Sequence, residues 1–310
     1  MNTLIKNNHI KNGVKKTSKF TLGIDGGGTK TLARLTNLQT QQSWQAQSGA
    51  SSLTNDFNGA IVIIAVLCRQ VISLAQTVND YCDYQNISAV FGLAGTGNEA
   101  RVTQLIDTLA MPFAQLTICS DARTSAYGAN NGKAVAVVAL GTGSVGMRLD
   151  DNGNSHIIGG WGFQVGDEGG GAKLGLLAVK ACIKELEHQN KITSELAQHV
   201  SKTIGDNRPA VLTWLSTAKP VDFARFPPLI FLHALACPVA KILLKQHIKA
   251  VEEHIDLTLG NTNLPLVLLG GLAEVTQAYI ATKYKQQLIS AKGDALDGAC
   301  FLAKQFYNVN

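Results

Sequence analysis

The sequence predicts an α/β protein made of two related lobes, and the main indication is a glycine turn that recurs after apolar strands. The segment 19–30, KFTLGIDGGGTK, ends a first strand in three glycines, and 134–143, AVAVVALGTG, ends a second strand in a similar turn. A third strand, 264–269, runs into Gly270 and Gly271. Strands that alternate with helices form sheets with helices packed against them. A duplicated α/β chain of this kind implies a central cleft between its halves, where small-molecule sites form.

The first lobe is predicted to begin as a meander of strands and to continue with alternating helices and strands. Asn55 or Asp56 is expected to cap the first long helix, because such side chains accept hydrogen bonds from free helix N–H groups. Its dense apolar residues indicate burial on most sides. The expected strands lie at 31–36, 43–47, 89–94 and 116–119, and the expected helices at 60–79 and 99–109.

The second lobe is predicted to repeat the glycine-turn meander before a group of helices. Strands are expected at 134–140, 145–149, 155–158 and 264–269, and helices at 172–189, 193–204, 210–216 and 238–259, with two more at the end. We therefore divide the chain into a disordered basic tail (1–18), a first lobe (19–130) that the C-terminal helix 293–310 rejoins, and a second lobe (131–292).

Composition indicates a globular, cytoplasmic protein without a nucleic-acid partner or a membrane span. The chain has 310 residues, 45% apolar, and a net charge of +5, but five lysines precede its first acidic residue, Asp25, and the remainder is neutral. The basic charge therefore belongs to a solvated tail. The longest apolar run, 60–67, is too short to span a bilayer. Six scattered cysteines without a C-x-x-C pair indicate reduced thiols.

The glycine turns predict two phosphate cradles. Bare backbone N–H groups of glycine can approach phosphate oxygens without a Cβ in the way. The Walker and Rossmann spacings are absent, so no single turn is decisive, but three turns in order are specific. The residues of these turns, which we expect to contact one nucleotide, are Gly26, Gly27, Gly28, Thr29, Lys30, Gly141, Thr142, Gly143, Gly270 and Gly271.

These segments resemble the phosphate-1, phosphate-2 and adenosine motifs of the actin, Hsp70 and sugar-kinase superfamily. Within it the chain is most similar to the BadF/BadG/BcrA/BcrD-type group, and specifically to N-acetylglucosamine kinases and bacterial glucosamine kinases. The similar segments are GIDGGGTK (23–30), SDARTSAYGA (120–129), LGTGSVG (140–146), GGWGFQVGDEGGGAKLG (159–175), DFARFPPLIFLHAL (222–235), LLGGLAE (268–274) and DALDGA (294–299). The resemblance implies a two-lobed, actin-like ATPase fold of the ribonuclease H type.

The resemblance also implies roles for two aspartates. Asp121 matches the family's catalytic base, which accepts a proton from a sugar hydroxyl; the alternative is that it only caps the helix that follows. Asp25 matches the family's Mg²⁺-binding aspartate, since Mg²⁺ prefers oxygen ligands and keeps several waters. A turn aspartate is the alternative for Asp25.

The resemblance implies sugar-binding residues at Gly160, Trp161, Gly162 and Asp167, and Ser144 is expected to bind the sugar with them. A core tryptophan and a capping aspartate are the alternatives. Where relatives place an asparagine that contacts the sugar, this chain has GASS at 49–52 and Asn55 three residues later. Either Ser52 takes that place or Asn55 does.

The leading hypothesis is an ATP- and Mg²⁺-dependent kinase for the 6-hydroxyl of N-acetylglucosamine, with glucosamine as the alternative substrate. An activator-type ATPase of the same group is a further hypothesis, although its paired cluster-binding cysteines have no counterpart here. A catalytically silent sensor is the third. We expect a small amino sugar as the partner and a homodimer as the assembly.

Overall fold

The chain divides into two compact units in the computed structural model, which describes residues 5–7, 18–78, 81–189 and 191–308. Unit 1 comprises Met1–Val135, Leu149–His156 and Ser290–Asn310. Unit 2 comprises Ala136–Arg148 and Ile157–Ile289.

Unit 1 is built on a six-stranded sheet with the order β1-β6-β5-β2-β3-β4. Strand β2 runs antiparallel to β3 and parallel to β5, and β5 runs parallel to β6. The carboxyl ends of β2, β5 and β6 therefore share one edge of the sheet. The elements are β1 (Ile5–Asn7), β2 (Phe20–Gly26), β3 (Thr31–Asn37), β4 (Ser43–Ser48), α1 (Phe57–Gln76), β5 (Ile87–Leu93), α2 (Glu99–Leu109), β6 (Gln115–Ser120) and α3 (Asp121–Ala129).

Helix α1 belongs to the core of unit 1. Asp56 caps it by accepting a hydrogen bond from the Gly59 N–H, as one of the two predicted caps. Among the described residues, α1 by itself has the length and composition of a membrane span, and a second candidate arises only if two helices joined by a sharp bend are counted as one. Buried core helices meet the same criterion. Seven of its 20 side chains are buried, and they pack in the cluster that also contains Leu22, Ile24 and Phe91. Val62, Val66 and Leu74 are exposed, so the expected burial on most sides is wrong and one face of the helix lies in the core.

Unit 2 is built on a four-stranded sheet with the order β10-β7-β8-β9, in which β7 and β10 are parallel. A group of helices forms its second core. The elements are β7 (Val135–Leu140), β8 (Ser144–Leu149), β9 (Ser155–Gly159), α4 (Gly171–Gln189), α5 (Glu195–Ile204), α6 (Arg208–Leu215), α7 (Pro220–Phe223), α8 (Pro227–His233), α9 (Pro238–Leu259), β10 (Leu266–Leu269), α10 (Ala273–Gln277) and α11 (Thr282–Lys285). The last helix, α12 (Ala295–Asn308), returns to unit 1.

The two sheets repeat one topology. In unit 1 the meander β2-β3-β4 has a later strand, β5, parallel to its first strand. In unit 2 the meander β7-β8-β9 has a later strand, β10, parallel to its first strand. In both units a glycine turn follows the first strand. The predicted α/β class and its duplication are confirmed.

The predicted lobe boundary needs one correction. The hairpin tip 149–156 was assigned to the second lobe, but it belongs to unit 1. The reason is a set of polar contacts with α3: Arg123 Nη1 donates to Ser155 Oγ at 2.8 Å, and the Tyr127 hydroxyl donates to the Gly153 carbonyl at 3.1 Å. Within the predicted tail 1–18, Ile5–Asn7 pairs antiparallel with β6; apart from Ser18, the rest of that segment lies outside the described residues.

Candidate active site

Two aspartates lie at the carboxyl edge of the unit 1 sheet. Asp25 is the penultimate residue of β2 and is paired with Gly92 of β5. Gly92 is in turn paired with Cys119 of β6, and Asp121 follows β6 as the first residue of α3. The sheet topology thus brings the two carboxyl groups to the same edge, on either side of β5.

The geometry of Asp121 does not fit the capping alternative. The cap of α3 is Ser120, whose hydroxyl accepts a hydrogen bond from the Arg123 N–H at 3.2 Å. The Asp121 Oδ1 atom instead accepts from the adjacent Ala122 N–H at 2.9 Å. Burial raises the pKa of the Asp121 carboxyl, and backbone hydrogen bonds partly offset this effect. A carboxyl of this kind is a stronger proton acceptor than an exposed one.

Asp25 has an unusual electrostatic environment. Its pKa is raised to about 6, mainly by burial and also by the negative charges of Asp121 and Asp294, while Lys30 acts in the opposite direction. Like charges that disfavour ionisation in the absence of a cation favour binding of one. The described residues contain no group of three or more acidic, histidine or cysteine side chains that could hold a metal. The Asp25 carboxylate, with the Asp121 carboxylate at the same sheet edge, fits Mg²⁺, which binds one or two carboxylates besides phosphate and water.

The first glycine turn joins β2 to β3 and is open to solvent. The Gly27 N–H donates to the Lys30 carbonyl at 3.1 Å, which closes the turn, and Gly28, Thr29 and Lys30 are exposed. Exposed amides in such a turn are available to an anion.

The segment 49–53 is fastened to this turn. Ser51 N–H donates to the Gly27 carbonyl at 3.1 Å, and the Thr31 hydroxyl is hydrogen-bonded to Ser51 Oγ at 2.7 Å. Ser52 is 6% exposed, whereas Asn55 is exposed, and its Nδ2 atom lies 3.7 Å from the position that a Cβ on Gly28 would take. Both candidates for the sugar-contacting position thus stay near the turn, with Asn55 the more accessible.

In unit 2 the second and third glycine turns are neighbours. They follow β7 and β10, which are parallel, so both turns lie at one sheet edge. Gly270 has φ +92°, and a Cβ there would lie 2.5 Å from the Leu140 carbonyl oxygen, so only glycine fits. The Gly171 and Ala172 N–H groups donate to the carbonyls of Gly141 and Thr142 at 2.8 Å each. The first amides of α4 therefore hold the Gly141–Gly143 turn in place.

The segment 159–169, which we call the glycine-rich loop, contains the predicted sugar-binding residues. Gly160 and Gly162 have positive φ, as does Asp167 at +64°. A non-glycine residue in this region is strained and often functional. Asp167 Oδ1 accepts from the Gly162 N–H at 3.2 Å, and a Cβ on Gly143 would lie 2.9 Å from Asp167 Cγ. The loop therefore rests its aspartate directly against the Gly141–Gly143 turn.

The exposure of Trp161 decides one of the earlier alternatives. Trp161 is 78% exposed, so the core-tryptophan alternative is wrong; Trp214 is the residue that packs among the aromatic rings of Phe223 and Phe226. Ser144 is buried, and its hydroxyl donates to the Glu168 carbonyl at 2.8 Å. Burial raises the pKa of Asp167, and hydrogen bonds from the Gly162 and Ser144 amides partly lower it.

The predicted residues thus form one group in each unit. Unit 1 brings together Asp25, Asp121, the first turn and Ser52, and unit 2 brings together the second and third turns, Ser144 and the glycine-rich loop. The sequence interpretation did not single out Asp294, whose charge acts on Asp25, or His254, which packs under the loop. Asp294 lies in the DALDGA segment, which was the available signal; nothing in the sequence around His254 marked it.

Comparisons with known proteins agree with this arrangement. The chain is 28% identical to the glucosamine kinase GspK of Vibrio cholerae over 285 residues, which cover 92% of this chain and 95% of that protein. It is 25% identical over 312 residues to the N-acetyl-D-glucosamine kinase of Dictyostelium discoideum, covering 91% and 97%. A solved structure from Chromobacterium violaceum, provisionally named an N-acetylglucosamine kinase, matches with a TM-score of 0.81 and 29% identity, covering 93% of this chain and 99% of that one.

The family model of the BadF/BadG/BcrA/BcrD ATPases matches residues 22–299, which include the unit 2 sheet, the unit 1 sheet except β1 and the first two residues of β2, all three glycine turns and both aspartates. The chain therefore belongs to the BadF/BadG/BcrA/BcrD ATPase family.

Proposed function

We propose that the protein is an ATP-dependent amino-sugar kinase that phosphorylates the 6-hydroxyl of N-acetylglucosamine, with glucosamine as the alternative substrate. The observation that carries the proposal is the placement of Asp25 and Asp121 at one sheet edge, beside an open glycine turn. The names of the relatives from Vibrio cholerae and Dictyostelium discoideum support an amino sugar as the substrate class.

Asp121 is proposed as the general base. Its Oδ1 atom is engaged by the Ala122 N–H, so we assign Oδ2 as the oxygen that accepts the sugar hydroxyl proton. Because burial raises the pKa of this carboxyl, that pKa lies closer to neutral pH than the pKa of an exposed aspartate, which makes the carboxylate a better base. A base held in place by the start of a helix typically accelerates such a step by about 10²- to 10⁴-fold.

The glycine turns are proposed to hold the nucleotide. The turn Gly26–Lys30 would contribute the backbone amides of its exposed residues, the Thr29 hydroxyl and the Lys30 ammonium group to phosphate oxygens. In unit 2, Thr142 and the amides of the Gly141–Gly143 turn are the second proposed phosphate-binding segment. Gly270 and Gly271 are assigned to the adenosine part. Asp25 would hold Mg²⁺, which supplies charge neutralisation at the β- and γ-phosphates when bound.

The glycine-rich loop is proposed to bind the sugar. Asp167 would accept hydrogen bonds from ring hydroxyls, and the exposed Trp161 would cover the sugar. Specificity would arise because a wrong hydroxyl geometry leaves a buried polar group unpaired. Ser144 was expected to bind the sugar directly; because its buried hydroxyl donates to the Glu168 carbonyl, we assign it instead to holding the loop. In unit 1, Ser52 or Asn55 is the proposed contact for the sugar substituent at C2.

The environment of the cysteines disfavours the activator-type alternative. Burial raises the pKa of the Cys68 and Cys119 thiols to about 12 and that of Cys82, Cys182 and Cys300 to about 11. Five of the six cysteines are buried and Cys300 is partly buried, whereas a cluster held between subunits, as in the activator ATPases, needs accessible thiols. The cytoplasmic location and the homodimer stay predictions.

A coupled assay of ADP release tests the proposal. N-acetylglucosamine, glucosamine, N-acetylmannosamine and glucose are compared at equal concentration, and ³¹P and ¹³C NMR of the product identify the phosphorylated carbon. We expect turnover with a 2-amino or 2-acetamido sugar and phosphate at C6. No sugar-stimulated ADP release from either hexosamine, or phosphate at another carbon, would contradict the proposal.

A further inference from the structure

A buried histidine lies directly beneath the glycine-rich loop. His254, on α9, is 8% exposed, and its Nε2 atom has no hydrogen-bond partner among the residues that the structure describes. Burial lowers the pKa of its imidazole, while the charges of Asp167 and Glu168 raise it. The ring is therefore a desolvated group close to the two acidic residues of the loop.

The imidazole occupies space that two glycines leave free. A Cβ on Gly159, the last residue of β9, would lie 2.6 Å from His254 Cε1. A Cβ on Gly146, in β8, would lie 3.1 Å from His254 Nε2. A side chain at either position would displace the imidazole ring or a neighbouring residue. The close packing of β8 and β9 against His254 therefore requires glycine at both positions.

The same helix supports the other end of the loop. Val251, three residues before His254, lies beneath Gly169, where a Cβ would come within 3.0 Å of Val251 Cγ2. Both ends of the loop thus rest on one face of α9, while Asp167 between them is held in a left-handed conformation at φ +64°. A strained residue persists only when its surroundings fix it.

We propose that His254 is a positioning residue for sugar binding: its imidazole wedges between Gly146 and Gly159 and so holds the glycine-rich loop in the conformation that presents Asp167. This inference rests on the proposed function, because it takes the loop to be the sugar site. His254 does not touch the substrate. It acts through the backbone of Gly159 and the start of the loop.

Three variants test the inference by steady-state kinetics and thermal unfolding. His254→Ala removes the ring and leaves a cavity under Gly159, and His254→Phe keeps a ring without polar atoms. His247→Ala is the matched control, since His247 is also buried on α9 but contacts Thr276 and Phe231 and not the loop.

The expected result is a change in one Michaelis constant only. His254→Ala should raise the KM for the hexosamine by roughly 10- to 100-fold, because Asp167 loses its hydrogen bonds to the sugar, while the KM for ATP stays within about 2-fold of the wild type. His254→Phe should recover most of the sugar affinity, and His247→Ala should lower the melting temperature without changing the hexosamine KM.

Other outcomes separate the inference from the proposed function. If the wild type phosphorylates a hexosamine but His254→Ala has an unchanged sugar KM, or raises the KM for ATP and sugar together, the positioning role is refuted and the kinase assignment stands. If the wild type turns over neither hexosamine, the proposed function fails and the inference fails with it.

Discussion

Asp25 and Asp121 stand on either side of β5 at one edge of the unit 1 sheet, and the charge of Asp121 contributes to a pKa of about 6 at Asp25. Burial is the larger cause of this shift. In the absence of a cation, repulsion between the two ionised carboxylates lowers the stability of the folded protein. A bound metal ion would neutralise this repulsion. The effect of the Asp25 charge on the free energy of unfolding can therefore be used to test the proposed metal site.

The first prediction concerns Asp25→Asn and pH. The folded-state pKa of Asp25 lies above the unfolded value, so its contribution to stability is complete below about pH 4 and is lost as pH rises through about 6. Removing the charge should therefore stabilise the protein without nucleotide or Mg²⁺ at pH 7.5, by about 1 to 3 kcal/mol after allowance for partial exposure. Near pH 4 the gain should vanish. Thermal unfolding at both pH values measures it.

Asp56→Asn is the control for this experiment. Asp56 is exposed and caps α1, and asparagine caps a helix about as well as aspartate. This variant should follow the wild type at both pH values. An Asp25→Asn variant that is less stable than the wild type at pH 7.5 would contradict the electrostatic account. Mg²⁺–ATP should stabilise the wild type more than Asp25→Asn.

The second prediction distinguishes the proposed catalytic role of Asp121 from the helix-capping role of Ser120. Asp121→Asn should lower kcat by about 10²- to 10⁴-fold, because the amide cannot accept the hydroxyl proton. The fold should persist, since Ser120 and not Asp121 caps α3. Ser120→Ala, in contrast, should cost about 1 kcal/mol of stability and leave kcat much closer to the wild type. Initial rates at saturating ATP and hexosamine, with unfolding curves for all three proteins, make the comparison; near-full turnover by Asp121→Asn would remove Asp121 from the mechanism.

The third prediction tests the contact between the second glycine turn and the glycine-rich loop. Gly143→Ala would place a methyl group 2.9 Å from Asp167 Cγ, so the carboxyl group must move. We expect kcat/KM for the hexosamine to fall by roughly 10-fold or more, because a displacement on the order of 1 Å in a catalytic site can cost about 10²-fold.

Gly97→Ala is the matched substitution, since no atom lies within 4 Å of a Cβ at Gly97. It should behave as the wild type in both rate and melting temperature. If Gly143→Ala keeps the wild-type kcat/KM, then Asp167 does not need its observed position.

Much of the fold could be predicted because local signals and global topology agree. The glycine turns after apolar strands predicted β2, β7 and β10 and their site edges, and Pro238 and Gly260 delimit α9 at the predicted bounds. The short helices α7 and α8 were not predicted, because Pro220 and Pro227 suggest breaks in a chain when read alone, yet proline is favoured in a first helical turn.

The candidate site was predictable in its strand-end residues but not in its packing. Asp25 stands at the end of one strand and Asp121 directly follows another, so a sheet of the predicted type brings them to one edge. The contact of Gly143 with Asp167 and the wedge of His254 under Gly159 join residues that are far apart in sequence, and glycine there reflects a neighbour's shape that no local pattern encodes. Trp161 is likewise exposed between two glycines of positive φ, an arrangement that no local pattern predicted.

The fourth prediction concerns acid stability and His247. Burial lowers the pKa of this imidazole to about 4; its Nε2 atom is 3.2 Å from the Thr276 hydroxyl oxygen, and Nδ1 has no partner among the described residues. The folded-state pKa lies below the unfolded value, so the contribution to stability is present above about pH 6.5 and is lost as pH falls toward 4.

The loss attributable to His247 should reach about 2 kcal/mol by pH 4.5. His247→Gln cannot titrate, so its free energy of unfolding should change less than that of the wild type between pH 7 and 4.5, whatever offset the substitution adds at neutral pH. Asp25 and His254 also change the free energy of unfolding with pH, Asp25 in the opposite direction to His247 and His254 in the same direction. Both residues are present in both proteins, so their contributions cancel when the pH dependence of His247→Gln is subtracted from that of the wild type. Urea unfolding at several pH values measures the slopes, and parallel curves for the two proteins would show that His247 is not kept neutral by burial.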